Sequence, residues 1–266
     1  MIDSWLLKAE VKLSSSAMRA RLLRERRRCQ QRGWKVPAAK EVLRAPQGYE
    51  LLLMCQRFLG RPAPTALIDV GANTGYWAER FLRYIPATYV GIEPDPRAFT
   101  ELSQRFPKEQ LINAAAGGHP GSVVLHMTEL SAYSTVSAYR DFASRNVRTS
   151  DEVAVERVTL NQCVRLAPGT RAVVKVDVQG AESEVLDGAT NLLPAVDLLL
   201  LEAPLFPQTE LTNDLGTLSA IVRPYGLTPI YFCRPGLDFD RYTVPVEHDV
   251  IFGRLDGRSW DGCLNR

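Results

Sequence analysis

From residue 66 onward, the chain alternates between two patterns of hydrophobic and polar positions. Short apolar runs are typical of buried strands, and apolar residues every three or four positions indicate amphipathic helices. The apolar runs predict seven strands, over Ala66–Val70, Tyr89–Glu93, Gln110–Ala114, Ala172–Val176, Leu198–Glu202, Thr228–Cys233 and Val250–Gly253. The helical spacing predicts four helices, over Tyr76–Tyr84, Arg97–Phe106, Ser183–Leu193 and Asn213–Tyr225. This alternation indicates an α/β fold with a mostly parallel sheet and helices on both faces.

Two parts of the pattern depart from that alternation. Gly121–His126 and Val153–Thr159 predict two extra short strands, and the segment between them is polar, with several hydroxyl side chains. Long insertions of this kind are usually functional. The last two of the seven strands have no helix between them, so we expect an antiparallel pair at one edge of the sheet.

The N-terminal region differs from the rest in charge and organisation. Residues 1–33 predict a helix, and Gly and Pro residues then mark a linker, so we divide the chain into a basic helical extension with its linker, residues 1–48, and a domain of residues 49–266. The extension has a net charge of +8, which leaves −6 for the remainder of a chain whose total is +2. Its helix suits a cap on the domain or a homodimer contact, or a peripheral contact with an anionic membrane or glycolipid surface. A nucleic-acid partner is the weakest interpretation, because the total charge is small.

The cysteines and the N-terminus indicate a cytoplasmic protein. The five cysteines are odd in number and far apart, without a Cys-x-x-Cys pair, so neither a disulfide framework nor a zinc site is expected. The N-terminus lacks the apolar core of a signal peptide, and no apolar run approaches the length of a membrane span.

The stretch Leu67–Gly75 carries the first sign of a ligand site. Its apolar run ends in Asp69, and the turn that follows contains Gly71, Asn73 and Gly75 before a helical pattern begins. Glycine permits positive φ and a close approach of a ligand to the backbone. The N–H groups at the start of the helix favour an electronegative ligand.

A second acidic residue defines the ligand further. Glu93 ends the second strand, 18 residues after Gly75, where a carboxylate can bind ribose hydroxyl groups. The turn lacks the Gly-x-Gly-x-x-Gly pattern of dinucleotide sites and the Gly-Lys-Ser/Thr of P-loops. The pattern therefore indicates a nucleoside-bearing cofactor of another kind.

Residues 172–190 contain the most specific motif of the sequence. They contain a pattern of the form Lys-x-Asp-x-x-Gly-x-Glu followed by Leu-x-Gly-Ala, made by Lys175, Asp177, Gly180, Glu182, Leu186, Gly188 and Ala189. With Asp69–Gly75, Glu93-Pro94, Asn113-Ala114 and Leu201-Glu202, this pattern resembles the FkbM family of S-adenosylmethionine-dependent methyltransferases, over about residues 65–253. Gln179 departs from it, because the family commonly has Glu at that position.

The resemblance implies a class I methyltransferase fold, which is Rossmann-like with a seven-stranded sheet and an antiparallel closing strand. It implies S-adenosylmethionine as the cofactor and O-methylation of a hydroxyl on a sugar, glycolipid or related natural product. The implied cofactor residues are Asp69, Gly71, Asn73 and Gly75 at the turn, Glu93 at the ribose, Asn113 and Ala114 beside the adenine, and Asp177 beside the transferable methyl.

The usual position of ligands in open parallel sheets also favours a site at the carboxyl ends of these strands. Ligands of open parallel sheets bind outside the carboxyl ends of the strands, and five polar side chains fall at or near such ends: Asp69, Glu93, Asn113, Asp177 and Glu202. Methyl transfer mainly requires alignment of the acceptor oxygen, and a base assists a weakly acidic hydroxyl. The candidate bases are Asp177, His248, Glu182 and Glu202. Asp177 and Glu202 alone are too few acidic ligands to predict a metal site.

Two other functions use the same fold. A nicotinamide-dependent oxidoreductase would bind its cofactor at the same edge of the sheet, and a non-catalytic glycan-binding or scaffold domain would bind none. The acceptor is expected to be a small molecule or a glycan.

Overall fold

The computed structural model forms two compact units, residues 1–63 and 64–266. The structure describes residues 3–60, 62, 65–137, 149–204, 211, 213–233 and 247–254.

The first unit contains three helices, α1 (Asp3–Gln31), α2 (Ala39–Arg44) and α3 (Pro46–Leu59). Helices α1 and α3 are joined by buried contacts. The Cys29 thiol lies 3.6 Å from the Leu53 carbonyl oxygen, and the nearly buried Glu25 carboxylate pairs with Arg57 at 2.7 Å. Because α3 packs on α1, the unit ends at residue 63, later than the boundary at 48/49 predicted from the sequence.

The second unit contains a seven-stranded sheet made of β1 (Thr65–Val70), β2 (Thr88–Ile92), β3 (Gln110–Ile112), β7 (Arg171–Val176), β8 (Val196–Pro204), β9 (Leu227–Phe232) and β10 (Glu247–Arg254). Their order in the sheet is β3-β2-β1-β7-β8-β10-β9. The neighbouring pairs among β3, β2, β1, β7 and β8 are parallel, and β10 is antiparallel to both β8 and β9. This is the class I methyltransferase arrangement, so the predicted fold class and the antiparallel edge pair are confirmed.

Helices cover both faces of this sheet. They are α4 (Tyr76–Leu82), α5 (Pro96–Arg105), α6 (Leu160–Cys163), α7 (Glu182–Asp187) and α8 (Leu215–Val222). One face packs against α7 and α8, whose Val185 and Leu218 join the buried core around Val174. On the other face the Tyr89 ring contacts Phe106, just after α5, with 4.6 Å between centroids. No helix in the described ranges combines the length and the apolar character needed to span a bilayer.

The insertion forms a second, three-stranded sheet. Its order is β4-β6-β5, with β4 (Ala115–Ala116), β5 (Gly121–Thr128) and β6 (Thr149–Val158). A 3₁₀ turn at Ser131–Tyr133 follows β5. The two extra strands predicted from the sequence are confirmed, and residues 138–148 of the insertion lie outside the described residues.

Candidate functional site

The glycine turn begins where β1 ends. Gly71 has φ 78°, and a Cβ there would lie 1.8 Å from the backbone oxygen of Asp177. Gly75 has φ 80° and precedes α4, and a Cβ there would meet the Leu102 and Phe106 side chains at 2.7 and 2.8 Å. Neither position accommodates a larger residue without movement, so close packing and left-handed backbone together require glycine.

Asp69 lies beneath this turn and is almost completely buried. Its Oδ2 accepts a long hydrogen bond of 3.4 Å from the Tyr89 hydroxyl, and Lys175 Nζ lies 3.9 Å from Oδ1. Among the described residues, Oδ1 has no hydrogen-bond partner. Burial raises the pKa of Asp69 to about 6, while the charge of Lys175 opposes that shift. A buried acceptor atom without a donor is suited to a donor on a ligand.

Glu93 connects the glycine turn to the second strand. Its Oε2 accepts from the Asn73 backbone N–H at 2.7 Å, and its Oε1 accepts from the Asp95 backbone N–H at 2.8 Å. Burial raises the pKa of Glu93 to about 7, against the effect of these two hydrogen bonds. The carboxylate therefore shapes both loops, and its remaining lone pairs are the ones open to the predicted ribose contact.

Asn113 and Ala114 follow β3. The Asn113 side-chain amide donates to the backbone oxygens of Glu93 and Pro94 at 2.8 and 3.2 Å, which fixes this corner to the second strand. Asn113 is exposed, whereas Ala114 is completely buried. Of the two predicted adenine neighbours, only Asn113 presents surface to a ligand.

Asp177 is the centre of a polar cluster at the end of β7. Its Oδ2 lies 2.8 Å from Lys175 Nζ, and its Oδ1 accepts from Gln179 Nε2 at 3.0 Å. The same Gln179 nitrogen donates to Glu202 Oε2 at 2.7 Å. Burial raises the pKa of Asp177, but the Lys175 charge and the hydrogen bonds from Lys175 and Gln179 outweigh it and leave the pKa below its usual value. Asp177 is therefore ionised at neutral pH.

Strand register places the members of this cluster on one face of the sheet. Lys175 pairs with Asp69 across β7 and β1, and Glu202 pairs with Asp249 across β8 and β10. Burial lowers the pKa of Lys175, but the charges of Asp177 and Asp69 outweigh it and raise the pKa above its usual value. Among the described residues of this cluster, the ammonium group of Lys175 therefore lies between the carboxyl groups of Asp69 and Asp177.

Glu182, a candidate base, faces a different set of atoms. It is the first residue of α7 and is almost completely buried, and its Oε1 accepts from the backbone N–H groups of Val178 and Gly180 at 3.2 and 3.1 Å. Burial raises the pKa of Glu182 to about 7. These contacts hold the loop that carries Gln179.

His248 lies on β10 next to Asp249, so alternation along the strand directs it to the face opposite Glu202 and Asp249. Its Nδ1 lies 3.2 Å from the Cys233 backbone oxygen, and its ring meets Phe232 edge-on. The structure therefore does not bring His248 together with Asp177.

The insertion supplies residues that sequence reasoning noted without giving them partners. Three hydroxyl groups, one in its 3₁₀ turn and two just after it, each contact a different loop of the site. Ser131 Oγ donates to Asn73 Oδ1 at 3.2 Å, Ser134 Oγ to Asp95 Oδ2 at 3.1 Å, and Thr135 Oγ1 to the Gln179 backbone oxygen at 2.8 Å. The density of hydroxyl residues was the only signal in the sequence, because the partners are distant along the chain.

The arrangement around β1 fits a nucleoside-bearing cofactor. It combines Asp69 Oδ1, which accepts no hydrogen bond from the described residues, with backbone of positive φ at Gly71, Asn73 and Gly75, immediately before the N-terminus of α4. This is a short, close-packed turn beside a buried acceptor, as expected of a ligand held by backbone groups and one carboxylate.

Comparison with known proteins adds a family match. The model of the methyltransferase FkbM domain matches residues 69–226, which is more than half of the chain and includes the glycine turn and Asp177. A hexuronic acid methyltransferase, AglP of Haloferax volcanii, is 28% identical over 141 residues, which are 51% of this chain and 54% of AglP. This chain thus spans about half the length of that curated relative.

Solved structures of low sequence identity are also similar. The N-methyltransferase NodS of Bradyrhizobium japonicum WM9 is 11% identical with a TM-score of 0.46, over 79% of this chain and 96% of NodS. The magnesium protoporphyrin IX methyltransferase ChlM of Synechocystis PCC 6803, solved with bound SAM, is 10% identical with a TM-score of 0.44, over 81% of this chain and 83% of ChlM.

Proposed function

The chain belongs to the FkbM methyltransferase family, and from that premise we propose that it transfers a methyl group from S-adenosylmethionine to a hydroxyl group of a sugar. The observation that carries the choice of a hydroxyl is the Asp177–Gln179–Glu202 cluster at the ends of β7 and β8. A neutral amine already has a nucleophilic lone pair, whereas a hydroxyl group gains from a base that accepts its proton.

The cofactor half of the site is assigned to β1, β2 and β3. Asp69, the turn Gly71–Gly75, Glu93 and Asn113 would hold the cofactor, whose sulfonium supplies an already activated methyl group. The protein then has to align the acceptor oxygen with that methyl group. Alignment speeds the reaction because the entropy cost of bringing the two groups together has already been met on binding.

The acceptor half is assigned to β7 and β8. Asp177, ionised and oriented by Lys175, would accept the hydrogen bond from the acceptor hydroxyl and align its oxygen. Glu202 is hydrogen-bonded to the same Gln179 amide as Asp177. It is the second candidate base, after Asp177, for the proton that the acceptor hydroxyl loses. Glu182 and His248 are set aside as bases, because Glu182 accepts from backbone N–H groups and His248 lies on the opposite face of the sheet.

The acceptor is proposed to be a neutral sugar in preference to a hexuronic acid. AglP is described as a hexuronic acid methyltransferase. In the described part of this site, however, carboxyl groups outnumber ammonium groups, and Lys175 already pairs with Asp177 and Asp69. A carboxylate on the acceptor would be repelled at this rim.

The two other functions considered from the sequence are not retained. A nicotinamide-dependent oxidoreductase does not agree with membership of a methyltransferase family, nor does a domain that binds no cofactor.

The experiment is incubation with methyl-labelled S-adenosylmethionine and a panel of matched glycosides, with glucose and glucuronic acid as one pair. We expect an O-methyl ether on the neutral member at a higher rate. Methylation of the uronic acid alone would contradict the acceptor assignment, and methylation of amines alone would contradict O-transfer.

A further inference from the structure

We propose that Gln179 is a positioning residue whose side-chain amide holds the Asp177 and Glu202 carboxyl groups together without needing a titrating proton of its own. The proposal rests on the methyl transfer proposed above, in which these two groups receive the acceptor hydroxyl.

The geometry supports a bridge made by one nitrogen. Gln179 Nε2 lies 3.0 Å from Asp177 Oδ1 and 2.7 Å from Glu202 Oε2, and both distances are those of hydrogen bonds. Lys175 occupies the other oxygen of Asp177. Carboxyl groups that share a site repel each other when both are ionised. The two N–H groups of an amide can donate one hydrogen bond to each and relieve that repulsion.

The backbone of Gln179 is held in an unusual conformation that directs this amide. Its φ is 56°, and within the described ranges Gln179 and Asn73 are the non-glycine residues with positive φ. The Thr135 hydroxyl holds the Gln179 carbonyl from the insertion, and Glu182 holds the N–H groups on either side of it. Left-handed backbone at a non-glycine residue persists where surrounding contacts determine it, and such positions cluster at functional sites.

The residue type matters because a glutamate at this position would differ from Gln179 in when it can donate a hydrogen bond. A carboxyl group donates a hydrogen bond only when protonated, whereas an amide donates at any pH. The charged groups nearest this position are Asp177 with its partner Lys175 at the end of β7, Glu202 on β8 and Glu182 on α7. Asp69 on β1 lies beside Lys175, and Asp249 on β10 pairs with Glu202 across the strands. With Gln179, the bridge in this chain does not depend on a proton.

Thermal unfolding of three full-length proteins across about pH 5 to 8 tests the bridge without any acceptor. In Gln179→Glu, repulsion raises the folded-state pKa of the new carboxyl above its unfolded value, so its stabilising bridge is present at low pH and lost as pH rises. We expect the Tm of this variant to match wild type near pH 5 and to fall about 2–4 °C below it near pH 8.

Gln179→Asn is the matched control. It keeps an amide and tolerates left-handed backbone, but it is one methylene too short to reach both carboxyl groups. Its Tm should lie below wild type at every pH, including pH 5, where Gln179→Glu should match wild type. A constant difference between Gln179→Glu and wild type across the pH range would overturn the proposal.

Turnover with the labelled cofactor separates positioning from a merely structural role. Gln179→Asn should lower kcat by about 10²-fold, the size of a misalignment effect, with the KM for S-adenosylmethionine changed less than about 3-fold. Thr135→Val should lower kcat in the same way, and Thr135→Ser, which restores the hydroxyl, should recover it. An unchanged kcat in Gln179→Asn would overturn the positioning role. Absence of methyl transfer to any sugar would contradict the proposed function, while the pH dependence of Tm would still decide whether the bridge exists.

Discussion

At the scale of single residues, the carboxyl groups of the site divide by the donors they bind. Glu93 and Glu182 accept from backbone N–H groups and hold loops in place. Asp177 and Glu202 accept from side chains at the ends of two adjacent strands. Sequence reasoning gave all four a ligand-contacting or catalytic role, because position at a strand end does not reveal which atoms a carboxylate binds.

Asp177→Asn should reduce turnover with little effect on cofactor binding. The substitution keeps the shape of the side chain and removes the charge that aligns the acceptor hydroxyl. We expect kcat to fall by about 10²-fold or more. The dissociation constant for S-adenosylmethionine, measured by calorimetric titration, should change far less. A wild-type kcat in this variant, with chemistry shown to be rate-limiting, would remove Asp177 from the mechanism.

His248→Gln serves as the comparison for that experiment. Its ring lies on the opposite face of the sheet from Glu202, so turnover should remain within about 3-fold of wild type. A loss as large as that of Asp177→Asn, with an acidic limb of the pH–rate profile near an imidazole pKa, would restore His248 as the base.

Glu93 makes the stability of the fold depend on pH. Its pKa is raised from 4.5 to about 7 by burial, so its protonated form stabilises the folded state, and that contribution is lost as pH rises through this range. Relative to Glu93→Gln, the free energy of unfolding of wild type should fall by up to about 3 kcal/mol between about pH 4.5 and pH 7.5. Urea unfolding of both proteins at several pH values measures the difference, and a pH-independent difference would contradict this account.

At the scale of elements, the atoms around each glycine of the turn determine whether a larger residue could replace it. A Cβ at Gly71 would strike the Asp177 backbone, which cannot rotate away, whereas a Cβ at Gly75 would meet side chains that can move. This distinction is invisible in the sequence, where both glycines belong to the same short motif.

The free energies of unfolding of three alanine variants should therefore follow that difference. Gly169 has φ 80° with open space around its Cβ position, so Gly169→Ala should cost only the backbone term, about 1–2 kcal/mol. Gly75→Ala should cost more, and Gly71→Ala the most, at least about 3 kcal/mol. Equal losses in Gly71→Ala and Gly169→Ala would show that the contact with Asp177 is unimportant.

In the insertion, the sequence pattern predicted the strands but not the contacts of the polar segment. Its two strands were predictable from alternating residues, and its polar segment indicated a role. The contacts of Ser131, Ser134 and Thr135 with three separate loops depend on tertiary packing, which single-sequence patterns do not encode.

At the scale of the whole molecule, the sequence predicted the second unit far better than the first. Buried parallel strands produce apolar runs, so the α/β fold class and the antiparallel edge pair followed from known rules of α/β folds. The predicted boundary at 48/49 falls inside α3, because Pro46 and Gly48 of that helix are also typical of a linker. The compact units divide at 63/64, so the first unit includes α3. Its packing on α1, through Glu25 and Arg57, is a contact between residues far apart in sequence.

The division into two units predicts that the second unit binds the cofactor without the first. All the residues assigned to the cofactor lie after residue 64, so a protein comprising residues 64–266 should bind S-adenosylmethionine within about 3-fold of the full chain. Calorimetric titration of both proteins, with circular dichroism to show that the shorter one is folded, provides the comparison. Loss of binding in a folded 64–266 protein would show that the first unit contributes to the site.

The central claim is that this site transfers a methyl group from S-adenosylmethionine to a sugar hydroxyl. The most direct measurement is mass spectrometry and NMR of neutral glycosides incubated with cofactor labelled in its methyl carbon, with Asp177→Asn as the matched protein. The account predicts a labelled methyl ether on one ring hydroxyl with wild type and about 10²-fold less with the variant. Label found only on nitrogen, or equal ether formation by both proteins, would contradict it.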